Sequence, residues 1–119
     1  MKEYVSVDVE TTGLAPKQDK IIEIGAVRVR DGQIVGSFTC FVNPGRILPA
    51  HITELTGILQ EQVDEAETME SVLPAFLEFA GDLPLMGHRI LFDYGFLKRA
   101  AVNMRLDFER SGVDTLKLS

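Results

Sequence analysis

The chain has 119 residues, of which 18 are acidic and 12 basic, a net charge of −6. Its length suits one domain, and a composition 45% hydrophobic and 25% charged is that of an ordinary globular protein. The acidic balance excludes nucleic-acid affinity carried by bulk charge, and the absence of a long apolar run excludes a membrane-spanning helix.

The chain opens on "YVSVDVE", residues 4–10, whose β-friendly residues predict a first strand. A strand alternates its side chains, so Asp8 and Glu10 share one face. Two adjacent carboxylates repel and raise each other's pKa unless a positive charge sits between them. "TTGL" then breaks the strand; its backbone N–H groups and hydroxyls are available to a ligand. "KIIEIGAVRVRDGQIVGSFTCFVNP" predicts two strands joined by a tight hairpin at Asp31 and Gly32. The first is buried on much of both faces. The lone Cys40, in the second, cannot form an internal disulfide and reads as a small core residue.

After "NPGRILP" the pattern becomes helical. "AHITELTGI" predicts a short helix stopped by Gly57, and the acidic "EQVDEAETME" a solvated loop and helix start. Met69, Val72, Leu73, Phe76, Leu77 and Ala80 follow helical spacing, with Gly81 just past the end. Pro74 fits near a first turn, which allows that helix to begin as late as Ser71. "LPLMGH" predicts a short strand and "ILFDYGFLKRAAVNMRL" a helix with Phe92, Phe96, Leu97, Ala100, Ala101 and Met104 inward. "VDTLKL" is a candidate last strand. The order βββ, α, β, α, β defines an α/β architecture with a mixed sheet. No internal repeat or linker divides it, so residues 1–119 are expected to form one domain.

Asp93 falls in the first turn of the helix after "LMGH", where ligand sites of α/β sheets gather. If that strand lies parallel to the first, Asp93 meets Asp8 and Glu10. Three carboxylates of this kind make a hard-oxygen site suited to one or two Mg²⁺ or Mn²⁺ ions with waters and phosphates. Phe92 and Phe96 flank Asp93 and serve either as core support or as contacts to a nucleobase.

These segments together resemble a known family. "VDVETTG" with "IIEIGAV", "LPAHITELTGI" and "GHRILFDYGFL" are similar, in order and spacing, to the motif regions of the DEDD (DnaQ-like) 3′–5′ exonucleases, especially the bacterial DNA polymerase III epsilon and PolC-type proofreading group. The resemblance implies a ribonuclease-H-like fold and two-metal hydrolysis of terminal phosphodiesters of DNA. Asp8 would bridge two ions, Glu10 bind one and Asp93 the other. Thr11, Thr12, Gly13 and Leu14 would frame the terminal nucleotide, with Ile52 and Leu55. The implied partners are a single-stranded DNA 3′ end, with RNA as an alternative, and a polymerase subunit; the implied location is cytoplasmic. A start at Met1 favours a free-standing protein.

Two features depart from the pattern. Arg89 stands where the second motif usually has Asn. The third motif, with a fourth carboxylate and a His or Tyr that activates water, does not occur before Ser119. The resemblance therefore predicts a C-terminally incomplete domain, inactive or nearly so by itself. A catalytically inactive nucleic-acid-binding or polymerase-associated module of the same fold is the alternative. Asp114, the tempting substitute for the fourth acid, is expected to serve structure.

Overall fold

A computed structural model describes residues 2–106, residue 108 and the backbone of 114–115. The elements are β1 (Glu3–Thr11), β2 (Ile21–Arg30), β3 (Gln33–Phe41), α1 (Ala50–Thr56), α2 (Gln60–Asp64), α3 (Met69–Ala80), β4 (Leu85–Gly87), α4 (Ile90–Asn103) and β5 (Asp114–Thr115). They build a five-stranded sheet in the order β3-β2-β1-β4-β5. The first three strands are antiparallel, while β4 runs parallel to both β1 and β5. This is the mixed sheet expected from the sequence.

Local chemistry accounts for the boundaries. Asp31 and Gly32, at φ 51° and 84°, turn β2 into β3 in left-handed conformation. Gly57 ends α1 in the same region, at φ 78°. The backbone N–H groups of Ser71 and Val72 both donate to the Thr68 carbonyl, so α3 begins at Met69 and not at Ser71. Pro74 lies inside it, and the bond it cannot make falls on the Glu70 carbonyl. Both residues are exposed, which leaves that group open to solvent. The acidic stretch expected as a loop contains α2, because the Leu59 N–H is met by the Gln62 side chain at 2.8 Å and Val63 is fully buried.

Along β1, Val5, Val7 and Val9 pack beneath α3 and α4 against Leu73, Phe76 and Leu97. Asp8 and Glu10 occupy the opposite face. A bulge in β2 matters here: Glu10 pairs with Glu23 but Thr11 with Ile21, leaving Ile22 as the extra residue. Consecutive isoleucines can therefore both be buried, Ile21 in the main cluster and Ile22 in a second one with Leu48, Ile52, Ile58 and Val63. Phe41, directly opposite Glu23, packs on that second cluster, which thus adjoins the acidic face. Cys40 is half-buried against the main cluster, as its core assignment requires; burial and the charges of Glu23 and Glu67 raise its thiol pKa. Among the described residues no helix is long and apolar enough to cross a membrane.

Candidate metal centre

The site forms where β1 and β4 part. Their parallel pairing runs only through Val5 with Leu85 and Ser6 with Met86. Beyond it Gly87 leads the chain away into α4. A Cβ at Gly87 would lie 2.6 Å from the Val7 carbonyl oxygen and 3.6 Å from Asp93 Oδ2, so only glycine permits this approach. Asp93, in the first turn of α4, enters the resulting gap and is 2% exposed. Its Oδ2 has no hydrogen-bond partner among the described residues.

Such a group is costly to ionise. Burial first, and then the charge of Asp8, push the Asp93 pKa from 3.8 to about 7; Glu10 adds to the rise, while the Val9 backbone and Arg89 oppose it. Glu10 is raised as well, by burial, then by Asp8 and Glu23, with Arg89 opposing. The acids therefore sense one another across the gap. Asp8 itself is exposed, and its cross-strand partner is Gly25, which leaves the sheet surface beside it open.

Glu23 belongs to this group, although the sequence patterns do not single it out. It sits directly across from Glu10, and burial and Asp8 raise its pKa. The available signal is an acid inside the apolar "IIEIGAV"; what brings it opposite Glu10 is the antiparallel register of β1 with β2, unbroken from Glu3 with Arg30 to Glu10 with Glu23.

The described residues contain no group of three His, Cys, Asp or Glu placed to enclose a metal ion. The donor set nevertheless suits a hard cation: a buried carboxylate oxygen with no hydrogen-bond partner among the described residues, electrostatically coupled to two further acids. Mg²⁺ in particular keeps several waters and is held by one or two carboxylates plus substrate phosphates, so it requires no closed protein cage.

The β1–β2 loop is rigidly built. Thr11 Oγ1 donates to the Gly13 carbonyl at 2.6 Å, and Thr12 N–H donates to the Lys20 carbonyl at 2.8 Å. Asp19 accepts from the Thr12 hydroxyl at 3.1 Å and from Ala15 N–H at 3.0 Å. A Cβ on Gly13 would collide with the Asp19 carboxylate. The Thr11 and Thr12 hydroxyls, expected to be open to a ligand, are instead buried and committed to the loop. The loop raises Leu14 into solvent, 76% exposed. Asp19→Ala should leave the Ala15 N–H without its partner, costing about 1–3 kcal/mol. Thermal melts and faster amide exchange at Ala15 would report it; unchanged exchange would remove Asp19 from this role.

The other expected contacts divide. Leu55 is 79% exposed on α1, whereas Ile52 on the same helix is buried in the second cluster. Phe96 is buried in the main cluster, and Phe92, half-buried, packs on it with tilted rings 4.9 Å apart between centres. Neither Ile52 nor Phe96 is brought to the surface, because each lies on the inward stripe of its helix. His51 and His88 are both exposed. The side chain of Asp114 and the rest of "VDTLKL" outside β5 lie beyond the described residues. A cavity of about 280 Å³ flanks the loop beside Pro16, Asp19, Phe96 and Met104, and Asp8, Glu10, Glu23 and Asp93 do not line it.

Comparison with solved structures shows the class of fold. E. coli exonuclease I in complex with a dA16 oligonucleotide superposes with a TM-score of 0.80 at 16% identity, over 90% of this chain and 25% of that one. A zinc ion bound form of the same enzyme with single-stranded DNA gives 0.80 at 15% identity, over the same shares. The fold is ribonuclease-H-like. The family model described as Exonuclease, RNase T, matches residues 5–119, and the chain belongs to that family. It is 47% identical over 117 residues to the DNA polymerase III PolC-type of Clostridium perfringens, and 43% identical over 118 residues to that of Bacillus subtilis. These alignments cover 98% and 97% of this chain but only 8% of each polymerase.

Proposed function

We propose that this chain is the exonuclease module of a PolC-type proofreading activity, removing nucleotides from the 3′ end of DNA with Mg²⁺ or Mn²⁺. The observation that carries the reading is the buried Asp93 oxygen, without a hydrogen-bond partner among the described residues and electrostatically coupled to Asp8 and Glu10, where β1 and β4 separate. The exonuclease family and the likeness to the PolC-type polymerases support it.

Asp8 and Glu10 would hold the ions from the open face, and Asp93 from the gap. When bound, the ions would neutralise charge at phosphorus and lower the pKa of an attacking water. The protein's own share is positioning. The clamped β1–β2 loop would present Leu14 to the terminal base, and Leu55 would offer a second apolar contact from α1. Gly87 sets the depth at which Asp93 sits. Because the chain is acidic overall, ions or a polymerase partner would supply the attraction for a polyanion. A cytoplasmic location accords with action on replicating DNA; RNA 3′ ends are the alternative substrate.

The test uses a 5′-labelled single-stranded oligonucleotide, with the chain alone and with the chain extended through the family's third motif segment. The extended protein with Mn²⁺ should shorten the strand from its 3′ end, and EDTA should stop it. The 119-residue chain should bind Mn²⁺ but digest at least about a hundredfold more slowly, because the general-base help that the resemblance assigns to the third motif is worth roughly that much. Asp8→Ala should abolish both Mn²⁺ binding and digestion without loss of folding. Full digestion by Asp8→Ala would refute the metal reading.

A further inference from the structure

Arg89 is the one position in the second motif where this chain departs from the family pattern, and its surroundings are particular. It caps the N-terminus of α4, and its carbonyl accepts the Asp93 N–H at 3.0 Å, one turn away. Its guanidinium lies 4.2 Å from the centre of the Phe92 ring, and Phe92 in turn rests on buried Phe96. The ring stack thus holds the cation in place from beneath. Its charge reaches both Glu10 and Asp93. Yet the ion pairs among the described residues are those of Glu3 with Arg28 and Arg30, and none of the described hydrogen bonds uses an Arg89 side-chain N–H. An exposed guanidinium therefore stands at the rim of the acidic gap with its fork of donors uncommitted.

We propose that Arg89 binds the phosphate of the nucleotide processed at this site. The inference rests on the nuclease reading above and adds a residue to it. A planar guanidinium matches two phosphate oxygens with parallel hydrogen bonds, which an asparagine amide cannot do. Phe92 holds the guanidinium carbon over its ring, and no described hydrogen bond occupies the N–H groups. In a chain of net charge −6, a fixed cation beside the acids also gives the phosphate a local reason to approach. A counter-ion role alone would predict an ion pair with Glu10 or Asp93, and the described residues contain none.

The probes are thymidine 5′-monophosphate and thymidine, titrated into the 119-residue chain with EDTA present and again with Mn²⁺. Arg89→Asn should weaken the monophosphate about tenfold or more in both conditions and leave thymidine unchanged. Arg89→Lys should recover only part of the loss, because an ammonium lacks the fork. Phe92→Leu keeps the charge but removes the ring platform, and should give an intermediate loss. Equal monophosphate affinity in wild type and Arg89→Asn would overturn the proposal. So would an equal loss for thymidine, which would mark a disturbed fold or base contact. Mn²⁺ binding by electron paramagnetic resonance separates the two readings. If wild type binds Mn²⁺ and Arg89→Asn leaves the monophosphate unchanged, the Arg89 role alone fails. If wild type does not bind Mn²⁺, the nuclease reading fails, while a phosphate-specific loss in EDTA would still uphold Arg89.

Discussion

Asp93→Asn should make the metal-free chain more stable above pH 7 and at the same time end its divalent-ion binding. The native carboxyl is buried, and its pKa stands near 7 against 3.8 unfolded. Below 3.8 both states hold the proton and the full stability is present. Between 3.8 and about 7 the unfolded chain has lost its proton while the folded chain keeps it, so stability falls as pH rises. Above about 7 both are ionised and the loss is complete, up to roughly 4 kcal/mol at about 1.36 kcal/mol per pH unit. Asparagine cannot ionise. Its melting temperature should therefore stay flat where wild type declines, with the two converging below the unfolded pKa of 3.8. Mn²⁺ should erase the difference by stabilising wild type only, and its affinity should weaken as pH falls below about 7, because the ion must displace the Asp93 proton. Parallel pH profiles for the two proteins would show that Asp93 does not carry this burden.

Gly87→Ala should cost the fold more than a surface substitution can. Its methyl would lie 2.6 Å from the carbonyl oxygen of Val7, and that oxygen belongs to the central strand. No rotamer relieves a clash with backbone. Either β1 or β4 must move, at about 1–3 kcal/mol for an overpacked site. The parallel pairing of the two strands covers only two residue pairs, so a shift of β4 against β1 disrupts few ladder bonds. Asp93 would move with it, and Mn²⁺ affinity should fall even where the variant remains folded. Gly25→Ala is the control: its Cβ would meet only the Asp8 carbonyl, at 3.8 Å, and should be tolerated. Equal melting temperatures and Mn²⁺ affinities for Gly87→Ala and wild type would mean that the gap does not set the site.

Much of this is legible in the chain, and for identifiable reasons. Asp31 with Gly32 and Gly57 announce their turns because few residues accept positive φ. Helical spacing from Met69 to Ala80 marks the buried stripe of α3. The period of two along β1 is enough to put Asp8 and Glu10 on one face. Position in a motif says less about exposure. Ile52 and Leu55 stand in one seven-residue helix, and only packing against Ile22 and Val63 shows that the first is buried and the second free.

The sequence by itself determined the strands, three of the four helices among the described residues, their order, the acidic pair and the family. These rest on local properties: backbone sterics, periodicity and the order of short motifs. Tertiary structure alone decided the electrostatics of the site. The unbroken antiparallel register of β1 with β2 sets Glu23 across from Glu10, and the close approach at Gly87 buries Asp93 without a partner for its Oδ2 among the described residues. Each of these joins residues distant in sequence, where register and desolvation set the outcome, and neither is encoded in any one segment.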